Sequence, residues 1–354
     1  MALIQGADIK IELYLSGAWT DLTCDTTSAE WQWGAPEALG PLTECEGGTL
    51  RVSMYDPGRK YDPDNPASPL LGVLKVGLGF RVMVDGSPAW TGVLQTWGWD
   101  RGSEIADLNG LDPIAMLSVR HLPSRAPLAP VASTSAGQAQ YMLDVVGWPA
   151  GKRYFPAGTA GWGRSNHYVQ GSALDGLHHI RFAELGRLFP MRDGRIGWYP
   201  REGVTPPASS AIINCGGVGL TDMWKVLGLG RVRNRVVLED GMGVFGGAMP
   251  PDEQRTVTTT STFLSYTFAG APAPDPWAAW ANTILAALAN PPPLTVLGTM
   301  VPTGAQVAAI LCAEFEARWT VKVTGEADQV VRVLGVRATL APGEIEVDAV
   351  TEDV

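Results

Sequence analysis

Four histidines are the first place to look for acid–base or metal chemistry in this 354-residue chain. His178 and His179 are adjacent on a predicted helix, where neighbouring side chains diverge by about 100°, so the pair does not chelate one ion. His121 and His167 fall in loops. No His-Glu-x-x-His, Gly-x-Ser-x-Gly or Walker loop occurs. Gly241-Met-Gly243-Val-Phe-Gly246 fits Gly-x-Gly-x-x-Gly after a predicted strand. A dinucleotide site needs that motif to open a helix whose N-terminus receives the pyrophosphate; Pro250-Pro251 blocks one, and the segment reads as a flexible loop. Asp56, Asp62, Asp64 and Asn65 offer oxygens of the kind calcium takes, without the alternate-position ligands, central glycine and closing glutamate of an EF-hand. Beside prolines they read as turn formers. Any two acids can converge as a glycosidase pair, and nothing singles one out. No catalytic, cofactor or metal site is assigned, and the chain is expected not to be an enzyme.

What the sequence does single out is Gly48 to Gly72. A strand over Thr49–Met54 runs into a polar loop that repeats Asp-Pro and Asn-Pro. Each proline fixes its own φ and pushes the preceding residue toward extended geometry. So stiff a loop suits presentation to a neighbour better than closure over a substrate.

The elements around it follow from composition and turns. Eighteen per cent of residues are charged, and Gly (42) and Pro (27) abound, which predicts many short strands joined by turns. The length predicts roughly two to four domains. Net charge is −10, without the basic stripe that gripping DNA phosphates requires; like charge also suits a conduit to which DNA must not stick. Cys24, Cys45, Cys215 and Cys312 show no Cys-x-x-Cys; free thiols in a reducing cytoplasm are expected, with Cys24–Cys45 the one pairing that adjacent strands would allow. The N-terminus lacks a signal-peptide pattern and no apolar run reaches the ~20 residues of a bilayer span, so no membrane anchoring is expected.

Residues 1–118 read as all-β, closed by a helical turn that Asp112-Pro113 caps. Residues 119–206 read as α+β: Ser172 and Asp175 form a capping box, Leu174, Leu177, Leu185 and Leu188 line one helix face interrupted by Arg181, Gly186 stands at the helix C-terminus, and Arg192-Asp-Gly turns a hairpin. Residues 207–240 and 292–354 are β again. Between them, 241–291 is an inserted α+β segment with a Thr/Ser-rich strand and a helix capped by Asp275 and Pro276 and ended by Asn290-Pro291. No sequence repeat links the two β regions.

Several strings, in order along nearly the whole chain, resemble one family. They are Gly48-Thr-Leu-Arg-Val, Tyr61-Asp-Pro-Asp-Asn-Pro-Ala-Ser-Pro-Leu-Leu-Gly, Leu74-Lys-Val-Gly, Ala183-Glu-Leu-Gly-Arg-Leu-Phe with Asp193-Gly-Arg, Arg233-Asn-Arg-Val-Val, and Leu340-Ala-Pro-Gly-Glu. The family is that of tailed-bacteriophage baseplate or tail-tip hub proteins, the minor tail proteins of long-tailed phages. The resemblance implies a mainly β (α+β) fold with two tail-tube-like antiparallel β-barrels, 1–118 and 207–240 plus 292–354, and two small α+β parts. It implies a homotrimer that adapts a hexameric tube to a central fibre or spike. Distal tail protein and tape-measure protein would be its other partners, and phage dsDNA would pass through without specific binding. The place would be the virion tail tip, assembled in the host bacterial cytoplasm. In that setting Asp56, Arg59, Tyr61, Asp62 and Asn65 would form an inter-subunit contact loop, with Arg59 and Tyr61 as anchors because both types are favoured in interface hot spots. A loop packed on its own barrel is the equal alternative. The chain ends soon after the second barrel, so no appended hydrolase is expected. Rival readings are a hexameric distal-tail ring protein and a carbohydrate-binding or wall-degrading tail enzyme that uses some of the 13 tryptophans.

Overall fold

A computed structural model describes residues 6–34, 44–123, 134–156, 171–200, 294–322 and 327–353. It also describes the short elements at 126–127, 168–169, 209–214, 223–226, 235–238, 243–246, 256–259 and 276–288. The first β unit comprises β1 (Ile9–Leu15), β2 (Ala18–Asp21), β3 (Thr26–Gly34), β4 (Glu46–Tyr55), β5 (Gly79–Val84), β6 (Ser87–Asp100) and β7 (Ile105–Leu111), then α1 (Pro113–Ser118). The middle of the chain holds β8 (Ala126–Pro127), α2 (Ser135–Val145), β9 (Arg153–Tyr154), β10 (Tyr168–Val169), α3 (Ala173–Glu184), β11 (Arg187–Pro190) and β12 (Ile196–Tyr199). Next come β13 (Ser209–Asn214), β14 (Met223–Val226), β15 (Arg235–Leu238), β16 (Gly243–Gly246), β17 (Thr256–Thr259) and α4 (Pro276–Leu288). The last are β18 (Leu294–Met300), α5 (Ala305–Leu311), β19 (Arg318–Lys322), β20 (Gln329–Ala341) and β21 (Glu344–Asp353). The fold is mainly β with a minority of helix.

Alternation builds the strands: Ile9, Ile11, Leu13 and Leu15 turn inward while Lys10, Glu12 and Tyr14 face outward. The β5–β6 hairpin turns at Asp85-Gly86, both at positive φ, as a two-residue primed turn requires. Two units then share one strand order. In the first it is β3-β4-β7-β6-β5, and in the second β14-β18-β21-β20-β19. One ladder irregularity recurs in both. The β6–β7 register breaks between Leu94 and Thr96, and the β20–β21 register breaks at the corresponding place between Val333 and Gly335. The units part company at the next strand, because β1 runs antiparallel to β5 and β13 parallel to β19.

Both units belong to one sheet. β21 occupies one edge of β20 along Val331–Ala341. The other edge is split between β19, along Gln329–Arg332, and β3, along Gly335–Leu340. Among the described strands no ladder closes either unit into a ring. A single core of buried residues from both units lies beneath, from Ile9, Trp31 and Phe80 to Trp319 and Val347.

The capping box at Ser172 and Asp175 forms. The helix ends differently from expectation: Leu185, not Gly186, takes the left-handed conformation. Gly186 is needed for proximity instead, since a Cβ there would lie 2.9 Å from the Tyr199 carbonyl oxygen. Arg181, read as an interruption, is buried and paired with Glu44. The segment Gly241–Gly246 is corrected too. β16 pairs antiparallel with β15, Leu238 opposite Gly243, so residues 243–246 are a hairpin arm and not a loop. The Asp240-Gly241 turn signal and the apolar runs on either side, Val236-Val-Leu and Val244-Phe, outweigh the glycines. Helix α4 buries Trp280, Ala281, Ile284 and Leu288 against Leu185. Arg231–Asn234, His167, Cys215 and the bulk of the Thr/Ser-rich strand lie outside the described residues.

Candidate functional site

The Asp-Pro loop folds back on β6. Asp56 is buried, and its carboxylate accepts from the Lys60 and Tyr61 amides, both at 2.8 Å. Asp62 is buried, accepts from the Arg59 side chain and from the Asp64 amide at 2.9 Å, and closes the next turn. Asn65 donates from Nδ2 to the Arg59 carbonyl and accepts from the Ala67 amide. The oxygens proposed for turn formation are thus engaged in turns. The Arg59 guanidinium lies 5.1 Å over the Trp99 ring, and Trp99 Nε1 donates to the Asp56 carbonyl. The loop therefore braces the face of β6 that carries Trp97 and Trp99.

Tyr61 is 1 % exposed and its hydroxyl donates to Asp25 at 2.6 Å. Burial first, and the Asp25 hydrogen bond second, push the phenol well above its ordinary pKa. An anchor for a neighbouring subunit has to reach out, and this side chain is spent inside its own chain; of the two anchors, only Arg59 keeps exposed surface, 39 % of its side chain. Tyr61→Phe is expected to cost about 1 kcal/mol, because Asp25 is partly exposed and rehydrates. A urea melt of the variant checks this. A loss of assembly with stability unchanged would mean that the hydroxyl serves a partner.

Around the loop the free edge of β6 is the second feature. β7 covers one edge of β6 from Val93 to Asp100. On the other, β5 stops at Val93 and Leu94 bonds to the Gly77–Leu78 backbone. Beyond it Gln95, Thr96, Gly98 and Asp100 are exposed, with no backbone hydrogen bond on that edge among the described residues.

The third feature is the crossing where β3 meets β20. Gly34 has φ +114°, and a Cβ there would sit 2.2 Å from the Leu334 carbonyl oxygen. A cavity of about 290 Å³ lies beside it, lined by Gln32, Trp33, Glu46, Gly335 and Arg337 among others. Arg337 pairs with Glu30 across the seam at 2.7 Å. Below, Asp112 caps α1, accepting from the Ala115 and Gly48 amides at 2.7 and 2.6 Å. Burial raises its carboxyl to about 7 against the pull of those amides and Arg192. Arg192, between β11 and β12, lies 3.3 Å over the Trp33 ring and donates from Nε to the Ala313 carbonyl at 2.7 Å.

None of these places collects a nucleophile with a base, and among the described residues no group of His, Cys, Asp or Glu is arranged to hold a metal. Cys24 and Cys45 are both free thiols, Cys24 exposed. No described helix is long and apolar enough to cross a membrane. What the three features share is strand edges and the residues that hold them in position.

No family model and no curated protein matches the sequence. Solved structures do. A tail protein from Neisseria meningitidis MC58 superposes with a TM-score of 0.63 at 12% identity, over 98% of this chain and 96% of that one. The 43 kDa tail protein of prophage MuSo2 from Shewanella oneidensis gives 0.57 at 12% identity, over 98% and 99%. Prophage tail protein gp18 from Listeria monocytogenes EGD-e gives 0.52 at 10% identity, over 97% and 94%. Over nearly its whole length, the chain has the fold of phage tail proteins.

Proposed function

We propose that the chain is a structural hub of a phage tail tip or baseplate, in which three copies form a ring. The ring adapts a six-membered tail tube to a central fibre or spike and encloses part of the DNA path. The observation that carries this is the duplication inside the chain. Two β units repeat one strand order and one ladder break. Three chains with two equivalent units each present six, which resolves the mismatch between six-fold tube and three-fold tip by closed cyclic packing. The net charge of −10 suits a channel through which DNA slides unbound. The distal tail protein, the tape-measure protein and the fibre or spike are the partners of such a ring, and its place is the tail tip of a virion assembled in the host cytoplasm. It acts by assembly rather than catalysis.

The mass of the native complex tests this. Three copies of the 37.6 kDa chain are expected. Six would favour the distal-ring reading, and a single copy at every concentration would overturn the hub.

A further inference from the structure

We infer that β14 of one copy adds antiparallel to the open edge of β6 in the next, with Gly98 opposite Val226, Trp99 opposite Lys225 and Asp100 opposite Trp224. This rests on the ring reading above and names the contact that would close it.

The template is inside the chain. In the second unit, the half of β20 beyond β19 does not stand open: β3 of the first unit pairs with it from Gly335 to Leu340. The two ladder sets give the equivalents. Leu94 and Val333 precede the breaks, so Thr96, Trp97, Gly98, Trp99 and Asp100 correspond to Gly335, Val336, Arg337, Ala338 and Thr339. Following the rungs outward, Trp31 pairs with Leu50 and Leu50 with Gly110, while Lys225 pairs with Thr295 and Thr295 with Thr351. Gly110 and Thr351 are themselves equivalent. Hence Glu30, Trp31 and Gln32 correspond to Trp224, Lys225 and Val226. Within the chain Ala338 faces Trp31 and Arg337 faces Gln32. The same rungs between copies give the register stated.

Each molecule is thus left with one unit of each edge. Among the described strands β6 keeps an unpaired acceptor edge over Gln95–Asp100 and β14 pairs only with β18. An unpaired edge is a template for another strand, and proteins that must stay single blunt it with proline, lysine or a covering segment. Gln95–Asp100 holds neither proline nor lysine, and a Cβ on Gly98 would meet nothing within 4 Å. The sequence adds an independent sign. The inner crossing needs Gly34, five residues after Ala29; Gly228 stands five residues after the equivalent Met223, although Gly228 itself lies outside the described residues. The contact joins two different edges, so it is heterologous, and such contacts close into rings or run on as filaments.

The test is a Gly98→Cys/Val226→Cys variant of the full chain in a Cys24→Ser background, cross-linked by mild oxidation and by a short bis-maleimide. Both sites lie on strand edges; an unchanged circular-dichroism spectrum verifies the fold, and Asp100→Cys/Trp224→Cys is a second pair in the same register. Most of the chain is expected in covalent species of up to three copies, while each variant that carries only one of the two introduced cysteines, beside the native Cys45, Cys215 and Cys312, remains uncross-linked. A native complex of three copies in which neither pair cross-links overturns this contact and leaves the hub intact. Cross-linking into six copies supports the contact and overturns the trimer. A chain that stays single overturns both.

Discussion

Replacing Arg192 by alanine is expected to destabilise the fold by about 1 to 3 kcal/mol, read as a lower urea midpoint and earlier melting. Arg192 is 4 % exposed and touches three parts of the molecule at once. Its guanidinium stacks on Trp33 of β3, its Nε holds the Ala313 carbonyl after α5, and its backbone amide donates to the Glu314 carboxylate at 3.2 Å. Burial drags its pKa down to about 9, with Glu314 pulling back the other way. Burial likewise raises Glu314, against the opposing charge of Arg192. Alanine removes the stack and the Nε hydrogen bond to the Ala313 carbonyl, and takes a positive charge away from the half-buried Glu314. Arg192→Met, which keeps volume over Trp33, should fall between wild type and alanine. Adding Glu314→Gln to it should recover part of the loss. Because the folded pKa of Glu314 lies above its unfolded value, its favourable contribution is complete below about pH 4.5 and is lost as pH rises through the folded pKa. The defect of Arg192→Ala should therefore deepen from acid to neutral pH. Equal losses at both pH values would show that packing alone, not the charge, is at stake.

The elements were legible where local chemistry decides them. Asp85-Gly86, Ser172 with Asp175, and the alternation of Ile9–Leu15 each state their own geometry, and the mainly β class follows from many such signals. Helix α2 was not legible. Its buried positions Ala136, Ala139, Met142 and Leu143 have helical spacing, but two are alanines, one of them beside a glycine, and stand out from no background. The buried role of Arg181 depends on Glu44, 137 residues away, which no local pattern reports. The loop residues were found by type, but their direction was not. Nothing in the string around Tyr61 says that Asp25 lies beneath it. Least legible was the duplication. Leu94-Gln-Thr-Trp-Gly-Trp and Val333-Leu-Gly-Val-Arg-Ala share no aligned residue, yet occupy the same rungs. A strand position asks for a side chain that fits a pleated, half-buried surface, not for one identity, so the ladder persists where sequence likeness has gone.

Gly34→Ala is expected to separate the two β units at their seam. The residue has φ +114°, and its missing Cβ leaves room for Leu334 and Gly335, whose backbone atoms would lie 2.2 and 2.3 Å from the added carbon. Backbone atoms inside a ladder cannot swing aside as a side-chain tip can. Strain at such a φ and forced overpacking each cost about 1 to 3 kcal/mol. Amide exchange should locate the loss in β3 from Ala29 to Gly34 and in the matching half of β20, while β6 and β7 stay protected. Gly98→Ala is the control, since open space surrounds that site, and it should change stability by no more than about 0.5 kcal/mol. A neutral Gly34→Ala with β3 amides still protected would mean that β3 does not cross β20 this closely. The pairing of β14 with β6 between copies would then lose its pattern, because the inner seam is the one place where the molecule displays how such edges meet.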